Sequence, residues 1–531
     1  MRGADRVARA LERAGARVVF TVSGNHVMSI FDAVLGTGIR LVHARHEAAC
    51  VHMADAWARL TGDCGFALVT GGPGHANAVA ALYTARAAES PLVLLSGHAP
   101  LPELGRGAFQ EMEQAALAAP LAKASWTAGP GGLEREVAEA VRIARSGRPG
   151  PVHLSLPSDL LDGADDAAFS APAEPVARAP SAEEVAAVLR VVESARRPLI
   201  LAGPLLRQPC AGDLLERLGA ALGVPAVALE SPRGLADPVL GAFPEVLARA
   251  DLVVLLGKPH DFTLRFAAAP AVDPQARFVV IDPDSDLVAR AIREKGERVA
   301  LTVLAEARAS AEALCRAGGR GEPAWREEVE AAIAFRPAGW DALAAAPGRV
   351  HPVAFGRAVA AALARRRDPV FVCDGGEIGQ WAQSLVSARD RIVNGVAGAI
   401  GVAVPFAVGV AAAAPGRPVL AVSGDGAFGF HMAEFDTALR HDLPFVAVIG
   451  NDAAWNAEHQ IQLRSYGADR AHGCTLLPTR YDRAIQGLGG FGALVTDPGD
   501  LPGALEDAFA SGRPACVNVM IEQVAAPTLR R

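Results

Sequence analysis

Two aspartates in the last quarter of the chain have the type and spacing to share a metal ion. They lie in LAVSGDGAFGFHMAEFDTALRHDLPFVAVIGNDAAW, residues 420–455, which reads as a strand, a glycine-rich turn, a helix and a second strand. Parallel strands joined this way end at the same edge of their sheet, where ligands of open α/β folds bind. Asp425 follows the first strand and Asp452 the second, so both carboxylates are expected at one point. The flanking Gly424 and Gly426 let the backbone approach a ligand closely. Hard oxygen ligands completed by phosphate oxygens and water suit Mg²⁺, which rarely has an all-protein cage. The expectation is a metal-bridged diphosphate. A rival is written in the same letters: Gly424-x-Gly426-x-x-Gly429 satisfies the dinucleotide fingerprint, with Asp452 as the ribose-binding acid. Against it, a carboxylate inside the turn repels an uncompensated pyrophosphate, whereas a divalent cation makes that carboxylate useful. In the plainest alternative both aspartates are loop and cap residues.

The elements that must position these residues follow one rhythm. In the first third, helices at 4–15, 27–35, 47–60 and 75–89 alternate with strands at 18–22, 39–44, 66–71 and 91–97, closing on a strand at 151–157. Such alternation implies parallel βαβ units in a sheet covered on both faces. The Ala- and Pro-rich stretch 163–181 has the composition of a linker. Strands resume at 198–203, 224–230, 251–257 and 278–283, and again, after a Gly- and Pro-punctuated region at 317–350, at 369–376, 419–426, 444–452 and 514–521. Three doubly wound α/β domains with mostly parallel sheets are expected, at 1–175, 182–320 and 345–531. The first and third are candidates for one fold without visible sequence similarity. The stretch Ile392 to Gly416 carries no charge and is long enough to cross a bilayer. Its Ala, Gly and Val content around Pro405 gives little transfer energy, so it reads as a Gly-rich loop feeding a buried helix.

Composition narrows the partners. The chain has 531 residues, of which 51% are hydrophobic and 21% charged, the balance of a soluble globular enzyme or carrier rather than a disordered or polytopic membrane protein. Its net charge is −7 and no Lys/Arg block stands out, so nucleic acid is not an expected partner, and neither is a membrane. Seven scattered cysteines without a C-x-x-C pair fit neither a disulfide framework nor a structural zinc site. The N-terminus reads as an amphipathic helix without the apolar core of a signal peptide, so a cytoplasmic location is expected.

Gly424-Asp425-Gly426, followed after 24 residues by Asn451-Asp452, resembles the cofactor motif of thiamine-diphosphate enzymes. The resemblance implies thiamine diphosphate and Mg²⁺ as cofactors, with the metal held by Asp425, the side chain at 452 and the backbone carbonyl of Ala454. The superfamily usually has Asn where this chain has Asp452. It also implies an acidic residue in the N-terminal domain, which ArgHisGluAlaAla (45–49) supplies as Glu47, placed to hydrogen-bond a pyrimidine nitrogen and relay a proton. Taken alone, Glu47 would be an ordinary first-turn acid on a helix dipole. The turn Gly71-Gly72-Pro73-Gly74 is expected to let a loop pass close to the pyrimidine.

Along essentially its whole length the chain is similar to the acetolactate-synthase-like group, which also contains benzaldehyde lyase. Three stretches carry the likeness to the latter: SerGlyAsnHis (23–26), PheGln (109–110) before AlaAlaProLeuAlaLys (118–123), and CysAspGlyGlyGluIleGlyGlnTrp (373–381). By it, His26 is a proton shuttle and Gln110 orients a substrate oxygen. Gly398 accepts a bond from the aminopyrimidine, and Ile400 props the cofactor bent. Gly376, Glu377, Gly424, Gly426 and Ala427 complete the cofactor contacts, and Trp381 and Trp455 are candidate pocket walls. For His26 and Gln110 the residues alone suggest only a surface or capping histidine and a loop amide.

The resemblance implies a C–C bond lyase or carboligase working on 2-oxo acids or α-hydroxyketones, with small carbonyl substrates and active sites at subunit interfaces of a homodimer or homotetramer. Acetolactate synthase is the nearest alternative, although Glu47 is followed by Ala48 where those enzymes commonly have Gln. An NAD(P)-dependent oxidoreductase would explain the folds but leave Glu47 without a role. FAD is an open possibility at the strand end PheValValIleAspProAsp (278–284), where a nucleotide could bind.

Overall fold

Short apolar runs, hydrophobic on both faces, form three parallel sheets. The structure, a computed structural model, describes residues 1–168, 172 and 177–531. The first sheet contains β1 (Val18–Thr21), β2 (Arg40–His43), β3 (Gly65–Val69), β4 (Leu92–His98), β5 (Ser125–Thr127) and β6 (Pro151–Pro157), in the order β2-β1-β3-β4-β6-β5. The middle sheet contains β7 (Pro198–Ala202), β8 (Ala226–Ala228), β9 (Leu252–Leu256), β10 (Arg277–Ile281) and β11 (Val299–Val303), in the order β11-β10-β9-β7-β8. The third contains β12 (Val370–Cys373), β13 (Asp390–Val393), β14 (Val419–Gly424), β15 (Val446–Asn451), β16 (Phe491–Val495) and β17 (Ala515–Met520), in the order β13-β12-β14-β15-β17-β16. Among the described residues, every pairing between these strands is parallel.

The first and third sheets have identical strand orders when each is counted from its own first strand, and the middle sheet repeats the same core order. In all three the order reverses between the first and third strands. Ligands of such folds sit beyond the carboxyl ends of the strands at that reversal. Asp374 and Asp425 therefore stand at the third sheet's switch point, directly after β12 and β14.

The sequence did not reveal β5, β11, β13 and β16 as strands. All four lie at sheet edges or complete an edge. An edge strand has a single neighbour and need not be apolar throughout, so its residues carry a weaker signal. Of the linker expected at 163–181, residues 169–171 and 173–176 lie outside the described residues, as does the expected domain edge at residue 175.

One core joins the N- and C-terminal domains. It runs from Ala49–Trp57 to Val402–Ala412 without interruption. The helix Glu47–Thr61 packs directly on the helix Ala403–Ala413. Their contact is close because residue 409 is glycine: a Cβ there would stand 2.4 Å from the carbonyl oxygen of Met53. The second helix is the uncharged stretch that imitates a membrane span, and it is buried, as its Ala- and Gly-rich composition suggests. Among the described residues no helix is long and apolar enough to cross a membrane. Arg59 reinforces the joint. Buried and paired with Asp55 at 2.5 Å, it also donates to the carbonyl of Val393 at 2.8 Å and lies over the ring of Phe406. A buried charge is tolerable only when its donors are this fully engaged.

Candidate active site

At the carboxyl edge of the third sheet, β14 and β15 lie in register with Gly424 opposite Gly450, so the residues that follow them emerge side by side. Asp425 opens the helix Asp425–His431, is only 1% exposed, and leaves its Oδ2 without a hydrogen-bond partner. Asp452 lies within hydrogen-bond reach of it. Asn451 aims this turn: its amide donates to Thr479 and Asn518, and its oxygen accepts from the N–H of Ala453, which holds a left-handed φ of 57°. Burial raises the carboxyl of Asp425 above the ordinary range, and burial together with the charge of Asp425 raises that of Asp452 further. Two buried acids facing one another with an orphaned oxygen are an arrangement that a cation completes.

The surrounding cleft, about 210 Å³, is lined by Asp425, Asp452, Ala454 and Trp455, and by Gly376, Glu377, Gly398, Ile400, Gly424, Gly426 and Ala427 as well. Eleven residues scattered over eighty positions of sequence thus share one wall. Trp455 closes one side: a Cβ at residue 426 would lie 2.7 Å from its ring. Ile400 is partly exposed into the cleft. The carboxylate of Glu377 is engaged by Arg233 at 2.8 Å and by the backbone N–H of Ala526, so it ties the middle domain and the C-terminal segment to this wall. Trp381, considered as a pocket wall, instead lies in the core against Trp340, its indole N–H donating to the carbonyl of Ala525. It does not line the cleft.

Beneath the cleft lies Asp374, which sequence reasoning did not single out as functional. It is fully buried and accepts from the N–H groups of Gly375, Gly401 and Ala403 and from the hydroxyl of Ser423. Burial pushes its carboxyl up to about 6. It fastens the end of β12, the loop carrying Gly398 and Ile400, and β14 to one another. Its only signal in the sequence is a polar residue ending an apolar strand, a signal that many loop aspartates share.

A second constellation gathers at the edge of the first sheet. Glu47 starts its helix, capped by the His46 side chain, and accepts from Asn77 Nδ2 at 3.0 Å. Thr70 and Gly74 lie beside it, and Thr70 Oγ1 is 3.1 Å from His26 Nδ1. His26 is buried, which lowers its tendency to take up a proton below that of an ordinary histidine, with His98 acting in the same direction. Gln110 has a left-handed φ of 56° and a buried Oε1 without a partner, and its backbone presses on Gly72. Gln114, another residue the sequence did not mark, pins the turn: it accepts from the N–H of Gly72 and donates to Gly97 and Ser155. Glu47, His26 and Gln110 are thereby brought together, but none of them lines the cleft of Asp425 and Asp452.

Residues 1–117 match the thiamine pyrophosphate enzyme N-terminal TPP binding domain, and residues 374–519 match the C-terminal TPP binding domain. Relatives align over nearly the full chain. A probable acetolactate synthase of Mycobacterium bovis is 33% identical over 97% of this chain and 95% of its own length. The chain belongs to the thiamine pyrophosphate enzyme family. A 2-hydroxyacyl-CoA lyase 2 of Bos taurus is 32% identical, covering 98% of this chain and 90% of the relative, and a 2-hydroxyacyl-CoA lyase of Oryza sativa is 28% identical over 98% and 96%. This is accordingly a thiamine-diphosphate-dependent enzyme of the acetolactate-synthase-like group, of a kind that makes and breaks C–C bonds.

The family's coenzyme fits the third-sheet cleft. An orphaned buried carboxylate oxygen faces a glycine-lined wall at a strand-to-helix turn, the chemistry a metal-bound diphosphate needs. Gly426→Ala tests the wall: the added methyl must displace Trp455, an overpacking cost of about 1–3 kcal/mol. The expected outcome is coenzyme binding weakened about tenfold or more in a titration of tryptophan fluorescence, because the displaced ring of Trp455 shares the cleft wall, together with a lowered thermal midpoint of the free protein.

Proposed function

We propose that this enzyme cleaves or forms a C–C bond next to a carbonyl carbon of small 2-oxo acids or α-hydroxyketones. The observation that carries the reading is the pair Asp425 and Asp452 in their glycine-walled cleft, with Glu47, Thr70, His26 and Gln110 gathered in a separate half-site. Thiamine diphosphate supplies, when bound, a carbon acid able to hold an acyl carbanion equivalent. Asp425, Asp452 and the carbonyl of Ala454 would hold Mg²⁺ on its diphosphate, with Gly424, Gly426 and Ala427 lining that end. Gly376, Gly398 and Ile400 would bracket the rest. Glu47 carries the activating proton at its carboxyl. His26, kept neutral near pH 7 by burial, accepts and returns substrate protons at its imidazole, and Gln110 orients the substrate oxygen with its amide.

That Glu47 does not line the cleft supports a site completed by two copies, in a homodimer or a homotetramer. Large exposed apolar side chains near each half support this: Phe109 on the N-terminal domain, and Phe430 and Ile461 on the C-terminal one. All seven cysteines are free, which supports a reducing compartment such as the cytoplasm. FAD has no support among the relatives' domains, and at the strand end 278–284 the Asp282 carboxylate is already paired with Arg148 at 2.5 Å.

The test is reconstitution with thiamine diphosphate, with and without Mg²⁺, followed by a screen of pyruvate, aromatic 2-oxo acids, benzoins and 2-hydroxyacyl-CoA thioesters, monitoring CO₂ and aldehyde. Turnover dependent on both additions supports the proposal; activity with a nicotinamide cofactor in their place would sink it. Acetolactate formation from pyruvate alone would favour the second reading, acetolactate synthase, which the Mycobacterium bovis relative supports.

A further inference from the structure

Glu434 takes no part in the site as described, yet it is 1% exposed and sits on the face where the two outer domains meet. It begins the helix Glu434–Arg440, directly after the helix that Asp425 opens. Both of its carboxylate oxygens lie 3.2 Å from the backbone N–H of Arg45, which donates to them, and the N–H of His46 also faces it. Thr437 Oγ1 donates to the same carboxylate at 2.6 Å. Arg45 and His46 are the last two residues before Glu47, so the donors belong to the strand-to-helix turn that aims the proposed acid.

The same segment grips this turn in two further places. The guanidinium of Arg45 pairs with Asp436 at 3.7 Å, and the ring of His46 stands 5.8 Å from that of His431. A surface carboxylate with such partners would contribute little; a buried one is held in place, because releasing its donors would leave its buried oxygens without partners. Simple domain docking does not require a carboxylate here, since the helix pair Glu47–Thr61 and Ala403–Ala413 already buries a continuous apolar seam.

We infer that Glu434 is a positioning residue for Glu47: from the C-terminal domain it clamps the backbone immediately before the acid and so sets where that carboxyl stands. The inference rests on the reading of Glu47 as the activating acid. In the proposed assembly, the segment 425–440 that carries one site's metal ligand thus fixes the acid serving another site.

The experiment uses the full-length holoenzyme and the variants Glu434→Gln and Thr437→Val, with hydrogen exchange of the peptide spanning 44–50, kcat and KM, and coenzyme affinity measured on each. Glu434→Gln replaces an acceptor with a donor toward one N–H. Exchange of the peptide is expected to rise about tenfold. A misplacement of the acid on the ångström scale lowers kcat by about 10- to 100-fold. KM and coenzyme affinity should hold, because neither the substrate pocket nor the Asp425 wall is touched. Thr437→Val, which keeps the carboxylate and removes one donor, should move the same readouts in the same direction by a smaller factor, and it carries the test if Glu434→Gln does not fold. Unchanged exchange at 44–50, or raised exchange with an unaltered kcat, overturns the inference. A Glu47→Gln enzyme with full turnover would instead overturn the role of Glu47, while leaving the exchange result to stand for the clamp itself.

Discussion

Glu47→Gln is expected to lower kcat by about 10²–10⁴-fold while leaving the fold, the coenzyme affinity and KM nearly as they were, since a positioned general acid or base contributes on that scale. Gln keeps the shape of Glu and can still accept from Asn77 through its amide oxygen, so the helix start and the Asn77 contact survive. What it lacks is a proton to give or a charge to receive one. Steady-state kinetics with coenzyme-saturated enzyme make the comparison, and a variant that kept full turnover would remove Glu47 from the chemistry. The residue is only partly buried, so its substitution leaves no cavity and activity loss cannot be attributed to unfolding.

The second large effect concerns Asp425. Asp425→Asn takes a charged ligand from the cation, and removing one partner of a buried pair of opposite charges costs about 3–5 kcal/mol, so the Mg²⁺ and thiamine diphosphate pair should bind about 10²–10⁴-fold more weakly. Isothermal titration in the presence and absence of Mg²⁺ reads this directly; equal affinity in variant and parent would contradict the metal site. The same pair predicts a dependence on pH. Burial, and for Asp452 also the charge of Asp425, raises both carboxyls, so the folded protein binds more protons than the unfolded chain between the ordinary carboxylate range and the raised values. Stability of the coenzyme-free protein therefore falls as pH rises through that interval. A divalent cation offsets the repulsion. The thermal midpoint should rise more on adding Mg²⁺ and thiamine diphosphate at pH 8 than at pH 6, and Asp425→Asn should flatten the difference.

How far this could be read beforehand varied with the kind of interaction. The interior strands were legible because a strand covered on both faces is buried and mostly apolar along its length, and β3, β7 and β9 are apolar throughout. The strands β5, β11, β13 and β16, at or next to sheet edges, did not stand out, their residues being only partly committed to a core. The cleft was legible for a different reason. Its carboxylates and glycines sit at strand ends, and parallel register carries strand ends to one edge whatever else the chain does. Trp381 shows the limit of that logic: its place beside the glycines of 375–376 suggested a pocket wall, but the helix on which it lies turns its ring into the core.

Sequence by itself determined the alternation of strand and helix, hence three parallel sheets, and the convergence of Asp425 with Asp452, because both follow from local pattern and the geometry of a βαβ unit. Tertiary structure decided which buried polar groups became partners. Asp374, Gln114 and Glu434 each bind backbone donors remote in sequence, and nothing in their neighbours distinguishes them from other loop and helix-end residues. It also keeps Glu47 out of the cleft that the aspartate pair lines. The reason is physical: periodicity and turn chemistry are settled within a few residues, whereas the satisfaction of a buried charge depends on which distant segments packing brings within hydrogen-bond reach.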